Sequence, residues 1–314
     1  MYKRQPSSVQ LKIPGKKFGV PVAMTVKDIG EVIKRFIFVA KVARESGFTG
    51  IQIHSAHGYL LSEFLSPDIN KRTDEWGGSL ENRTRIHVEI IKGIRKALGN
   101  DFPISLKLNS ADFQKGGFSP ADALESARIM ESAGIDLLEI SGGTYEQPRL
   151  LGLDNLSINP ERSENRKSSS IAREAYFLDY AENIKKSISI PTMVTGGFRT
   201  KDAMESSIKS NACQMIGVGR PLCADPQSIR KLLAGQIKEL STYEKSLSLG
   251  PWILSPSSPF RLIQAINGFG TQAWCYQQIK RMARNEKPDL NMSMFSALKN
   301  DIRDDLASFK ALKS

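Results

Sequence analysis

Residues 50–85 read GIQIHSAHGYLLSEFLSPDINKRTDEWGGSLENRTR, a short apolar strand that runs straight into polar and ring-bearing residues. Only three histidines occur in the chain, and two of them, His54 and His57, stand here with Tyr59 just beyond. Residues three apart on a straight strand point to opposite faces, so the two imidazoles converge only if the chain turns after Ile53. Gly58 and Tyr59 suit such a turn. This is where chemistry is expected.

Working outward, the pattern on either side is that of strands alternating with helices. Upstream, Thr25 is read as an N-cap with Asp28 at the third position, followed by apolar Ile29, Val32, Ile33, Phe36, Val39, Ala40 and Ala43 and a stop at Gly47. Downstream of the strand at 50–54, a long loop holding Pro67, Asn70 and Gly77-Gly78 leads to Ser79, which opens a helix buried through Ile86, Ile90, Ile91, Ile94 and Leu98. The unit recurs: a strand at 103–109 with a helix opened by Ser119-Pro120 and ended by Gly134; a strand at 137–141 with a helix around 171–188; a strand at 192–195 with a helix after Thr200; and a strand at 214–219 with a helix from about Pro226. Such alternation predicts parallel pairing.

Five strand–helix units follow a helix whose own strand is not in the chain. The expected fold class is therefore α/β, a (β/α)8 barrel lacking about its first three units, with a C-terminal extension. An open doubly wound sheet competes, but it carries its glycine fingerprint after the first strand, whereas here the glycine-rich turns follow the last two. The expected organisation is a leader at 1–24, a partial barrel with the cofactor and substrate site at 25–249, and an extension at 250–314. Within the leader, Met1-Tyr2-Lys3-Arg4-Gln5 reads as foreign sequence: GTG-TAT-AAG-AGA-CAG, a frame through a common transposon adapter, encodes it if GTG serves as the start codon. The extension, with Pro251, Pro256, Pro259, Trp252 and Trp274, is expected to pack across the barrel or a partner subunit and to end in an amphipathic helix at 295–312.

Composition bounds the rest. A chain of 314 residues with 40% hydrophobic content can bury a sizeable core. Three widely spaced cysteines, Cys213, Cys223 and Cys275, give neither a disulfide framework nor a CxxC metal spacing, which points to a reduced, cytoplasmic setting. No apolar run approaches the roughly 20 residues of a membrane span. The formal charge of +11 is scattered and interleaved with Glu and Asp. That pattern argues against nucleic acid and for a solvated basic surface or a field that attracts phosphorylated cofactors.

Active sites of such barrels lie at the carboxyl ends of the strands. His54 and His57 end the first visible strand, where two imidazole donors can hold a carbonyl, nitro or phenolate oxygen and Tyr59 can supply a proton. An ordinary hydrogen-bonded pair or a zinc pair are the alternatives, although the HxxH lacks the glutamate of HExxH and nearby Cys or Asp partners. In the next strand Ile104, Leu106 and Leu108 alternate with Ser105, Lys107 and Asn109, which turns Lys107 into the barrel. Its ammonium needs an anionic partner, either a bound cofactor or a neighbouring carboxylate such as Asp112. Gly196-Gly197 and Gly219-Arg220, after the last two strands, are read as a phosphate site or as plain turns.

The 54–85 stretch resembles the signature of the old yellow enzyme family, FMN-dependent NAD(P)H:flavin oxidoreductases and ene reductases. The resemblance continues through SLKLNSADF, LLEISGG, MVTGGFRT and MIGVGRPLCADP and covers roughly residues 6–225. It implies an FMN over the barrel mouth, reduced by NADH or NADPH and reoxidised by an activated alkene or related acceptor. By position His54 and His57 match the pair that grips the acceptor's oxygen, and Tyr59 matches the proton donor. Lys107 falls where the family places a cation, commonly arginine, against the flavin N1–C2=O edge. Gly196, Gly197, Gly219 and Arg220 fall on its FMN phosphate loops. Trp76 stands where tyrosine is frequent, a change expected to be structural.

The departure is at the front, where the family carries about three further strand–helix units with flavin contacts. The expectation is an N-terminally truncated, inactive form of an enzyme that acts on a small molecule, with neither nucleic acid nor membrane as partner and a homo-oligomer left open. A non-catalytic relative that binds or scaffolds is the competing reading, and a zinc hydrolase built on HxxH the third.

Overall fold

The computed structural model describes residues 4–13, 16–17, 19–142 and 177–311. The chain divides into two units, one made of Met1–Gly197 with Ser206–Gly217, the other of Phe198–Glu205 with Val218–Ser314.

The first unit opens with two small ladders. β1 (Arg4–Gln5) pairs in parallel with β4 (Val22–Ala23), and β2 (Lys12–Ile13) pairs antiparallel with β3 (Lys16–Lys17). Arg4 is ion-paired with Asp28, and Gln5 donates to Glu63 Oε1 at 2.7 Å. Helix α1 (Val26–Glu45) starts with the expected capping box: Thr25 Oγ1 accepts from Asp28 N while Asp28 accepts from Thr25 N. Such a cap contributes about 1 kcal/mol.

The unit is built around a five-stranded, all-parallel sheet whose strands follow sequence order: β5 (Ile51–Ser55), β6 (Ile104–Asn109), β7 (Leu137–Ser141), β8 (Thr192–Thr195) and β9 (Met215–Gly217). Between β5 and β6 run α2 (Leu60–Leu65) and α3 (Leu80–Leu98), with Ser79 capping the latter; α4 (Pro120–Ala133) follows β6, and α5 (Leu178–Lys185) precedes β8. The α2 turn lies inside what the sequence presents as loop. The helix expected around 171–188 is described only from 177 onward, and its earlier residues lie outside the described part. Among the described residues the sheet does not close: β5 and β9 are its edges.

Strand alternation sorts the faces as expected. Ile104, Leu106 and Leu108 are buried, with Ile53, Leu138, Ile140 and Val194, and so are the α3 residues Ile86, Ile90, Ile91 and Ile94. Each such side chain contributes about 1.5–3 kcal/mol on burial. Gln52, His54, Ser105, Lys107, Glu139, Met193 and Met215 alternate with them and line the opposite face. Val39 is 61% exposed beside exposed Phe38 and Val42, because the apolar stripe is wider than the face that α1 lays against α3.

The second unit holds most of α6 (Lys201–Lys209), a 3-10 turn at Arg220–Cys223, α7 (Ser228–Leu233), α8 (Tyr243–Ser246) and two long helices, α9 (Arg261–Ala283) and α10 (Met294–Ala311). Its core joins Ala224, Leu247, Ala273, Trp274, Met294 and Ala297. Trp274 Nε1 donates to Met292 O at 3.1 Å. α9 and α10 pack closely at Gly270, where a Cβ would lie 2.5 Å from Met294 Cγ. No helix among the described residues is long and apolar enough to cross a membrane.

Candidate active site

Strand β5 delivers His54 to the open face and then bends. The strand continues to Ser55, and the turn falls at His57 and Gly58, both left-handed with φ of 64° and 76°. A non-glycine residue held there is strained unless its surroundings fix it. Here they do: His57 N donates to Asn109 Oδ1 at 3.1 Å, and Asn109 Nδ2 donates to Asp112 Oδ1 at 3.0 Å. The bend brings the rings of His54 and His57 to 5.3 Å between centroids, nearly perpendicular, and the Tyr59 ring to 4.9 Å from His54. Tyr59 heads α2, its carbonyl accepting from Glu63 N and Ser62 Oγ, and its side chain is about half exposed.

Both imidazoles are neutral near pH 7. Burial first, then the Lys107 charge and the neighbouring His54 ring, pushes His57 down to about 3; burial and Lys107 also lower His54, against a smaller opposing effect of Glu139. Ala56 N donates to His54 Nδ1 at 3.3 Å, which leaves the proton on Nε2 as an outward donor. His57 Nε2 shares a 2.7 Å hydrogen bond with Ser141 Oγ at the end of β7. The third histidine, His87, lies on the far side of β5, fully buried, with Nε2 2.7 Å from Ser55 Oγ. Desolvation pushes it to about 3 as well.

The carboxylate beside Lys107 is Glu139, not Asp112. The β6–β7 register sets Lys107 opposite Glu139, and Nζ lies 2.8 Å from Oε1. Gln52 Nε2 donates to the other Glu139 oxygen at 2.7 Å, so the carboxylate is held from two strands. Asp112 instead turns back into its own loop, accepting from Asn109 Nδ2 and Phe118 N, and burial raises its pKa. The sequence assigns no role to Glu139, Gln52 or Ser141, and places Asn109 only on the Lys107 face of its strand. Their inward positions on the strands were the available signal.

At the end of β8, Gly196 and Gly197 adopt φ of 122° and 88°, a backbone conformation that residues with side chains rarely adopt. In the second unit Arg220 Nη1 lies 3.2 Å from Glu244 Oε1, which Arg199 Nη2 also reaches at 2.6 Å. Gly219 precedes the 3-10 turn. Among the described residues no three His, Cys, Asp or Glu side chains are grouped to hold a metal ion.

A parallel sheet with its polar cluster at the carboxyl ends of the strands is the arrangement of β/α enzymes. Residues 4–239 match the model of the NADH:flavin oxidoreductase / NADH oxidase family, and the chain belongs to that family, whose cofactors are FMN and a nicotinamide reductant. It is 39% identical to an NADH-dependent flavin oxidoreductase of Talaromyces variabilis over 210 residues, 67% of this chain and 49% of that one. Against an NADH oxidase of Thermoanaerobacter brockii it is 35% identical over 221 residues, 70% of this chain and 32% of that one. Among solved structures, a 2-naphthoyl-CoA reductase complex with 2-naphthoyl-CoA shares 32% identity and a TM-score of 0.65 over 76% of this chain and 34% of the other. An old yellow enzyme homologue from Zymomonas mobilis, at 21% identity and a TM-score of 0.59 over 83% of this chain and 68% of the other, supports the fold. This chain spans about half or less of the length of its first curated relatives.

Proposed function

We propose that this chain carries the acceptor-binding part of an FMN-dependent oxidoreductase that passes a hydride from NADH or NADPH to an activated alkene of the enone type or a related acceptor, on a sheet belonging to a (β/α)8 barrel. The observation that carries the reading is the neutral His54–His57 pair, bent together at the end of β5 with Tyr59 beside it. FMN, when bound, supplies the ring that takes up and gives back the hydride.

The residues present fit that group. The Gly196-Gly197 turn suits a phosphate, and Lys107, with one of its three N–H donors directed to Glu139, keeps donors for a second acceptor such as the flavin N1–C2=O edge. Gly219 and Arg220 receive the phosphate assignment from their sequence motif alone. His54 Nε2–H donates to the acceptor's electron-withdrawing oxygen, and His57 completes the pair. Neutral imidazoles suit this role, because they bind an uncharged carbonyl and strengthen their hold as negative charge develops on its oxygen. Tyr59 delivers the proton to substrate carbon.

The test is a chimera in which this chain replaces the matching segment of the Talaromyces variabilis relative. Under anaerobic conditions NADH or NADPH is expected to bleach its flavin absorbance and 2-cyclohexenone to restore it. A flavin that is bleached normally but recovers no faster with enone than without would remove the alkene assignment.

A further inference from the structure

The second unit carries a pair of thiols that the flavin chemistry does not use. Cys223 closes the 3-10 turn at Arg220–Cys223, and Cys275 sits in the middle of α9; these elements pack with Cα atoms within 8 Å. The residues beside the two cysteines fix the approach, since Ala224, next after Cys223, and Trp274, just before Cys275, are buried in the same core cluster. Cys275 itself packs against that cluster, both thiols are free, and both are partly exposed. Side chains three apart in a 3-10 turn eclipse one another, which sets the Arg220 guanidinium beside Cys223. Hydrogen bonding from Cys275, reinforced by Arg220, pulls Cys223 down to about 7, while the same contact and burial push Cys275 up. Cys213, buried in the other unit, goes the opposite way, to about 11, through desolvation.

We infer that Cys223 and Cys275 form a peroxide-reactive dithiol site, with Cys223 as the attacking thiolate and Cys275 as the resolving thiol. The Cys223 thiolate attacks one oxygen of a hydroperoxide; the O–O bond breaks, water or an alcohol leaves after protonation, and Cys223 becomes a sulfenic acid. The Cys275 sulfur then attacks that sulfur, an S–S bond forms, and the hydroxyl leaves as water with the Cys275 proton. Two thiols are oxidised by two electrons and one peroxide is reduced. The disulfide ties the Arg220 turn to α9, so the site reports oxidant to the loop that carries Arg220.

The experiment uses the purified chimera, reduced, freed of reductant and exposed to hydrogen peroxide, with peptide mass mapping before and after reduction. The expected product is a Cys223–Cys275 linked peptide within one chain, with Cys213 still alkylatable. In Cys275→Ser the expected product is instead a dimedone adduct at Cys223. Before any oxidation, iodoacetamide at pH 7 is expected to label Cys223 at least tenfold faster than Cys213. Equal labelling rates, a disulfide only between chains, or wild-type Cys223 ending as an unresolved sulfenic or sulfinic acid would each overturn the inference. The wild-type mapping stands even if the serine variant fails to fold.

Discussion

His57 Nε2 lies 2.7 Å from Ser141 Oγ, so the ring at the bend after β5 is held by the last residue of β7, two strands away. Ser141 therefore aims His57, whereas His54 offers its Nε2–H directly. In the chimera, Ser141→Ala is expected to weaken a phenolic ligand by about 1 kcal/mol, a single neutral hydrogen bond. His54→Ala is expected to cost about 1.5–3 kcal/mol, the loss of a hydrogen bond to a charged phenolate. Both are read by titrating the change in flavin absorbance. Equal effects would make Ser141 a ligand contact, and no effect of either would remove the pair from the acceptor site.

Tyr59 stands at the head of α2 with its backbone fixed by Glu63 and Ser62. Replacing it by Phe removes one proton and leaves the ring against His54. In the chimera the variant is expected to slow reoxidation of the reduced flavin by enone about 100-fold or more, the scale of a lost general acid, with reduction by nicotinamide nearly intact. Stopped-flow traces of the two half-reactions decide this. Equal slowing of both would mean that Tyr59 places the flavin.

Lys107 and Glu139 form a pair in which the carboxylate is almost wholly buried, at 3% exposure, and the ammonium partly so, at 21%. Lys107→Met leaves Glu139 with only the Gln52 amide, an uncompensated buried charge, and is expected to destabilise the fold by about 3 kcal/mol. Lys107→Met/Glu139→Leu removes both charges and is expected to recover most of that loss. Urea unfolding midpoints of the chimera at pH 7 measure it. A double variant no better than the single one would mean that the apolar replacements, not the stranded charge, cause the damage.

His87 ties stability to pH. Its folded-state pKa is depressed to about 3 by burial, against an ordinary value of 6.5. The unfolded chain therefore binds one more proton between those values. The contribution of His87 is fully present above pH 6.5 and is lost as pH falls, by about 1.4 kcal/mol per unit. Asp112, raised by burial, acts in the opposite sense, so the discriminating measurement is a difference. In the chimera, His87→Asn is expected to flatten the dependence of unfolding free energy on pH between 6 and 4 by about one proton. An unchanged slope would mean that His87 is protonated in the folded chain.

Much of this architecture is written locally. Thr25 with Asp28 and Ser119 with Asp122 announce their helices because capping is settled within four residues, and Ile104, Leu106 and Leu108 announce a strand through simple alternation. The histidine bend is legible for the same reason. The Lys107–Glu139 pair is not, since 32 residues separate its members and only the β6–β7 register joins them. Helix α9 is hidden by Gly268 and Gly270; the second is small because Met294 presses against it, a fact of packing with no local sign. The α2 turn escapes because it has six residues and no side-chain cap.

The open sheet sets the last expectation. Strands β5 and β9 each have one unpaired edge among the described residues, and the face that bears the site leaves Gln52 and His54 exposed and Met215 48% exposed. Unpaired edges are templates for other strands, because their open N–H and C=O groups favour association. A planar ring laid on an open sheet face also binds weakly, because one side of it stays wet. Expressed alone, this 314-residue chain is expected to sediment as oligomers or aggregates and to lose added FMN on ultrafiltration, although His54, His57, Tyr59 and Lys107 are all present. A yellow monomer that survives ultrafiltration and unfolds in one cooperative step would show that in solution the β5 and β9 edges and the face between them are covered.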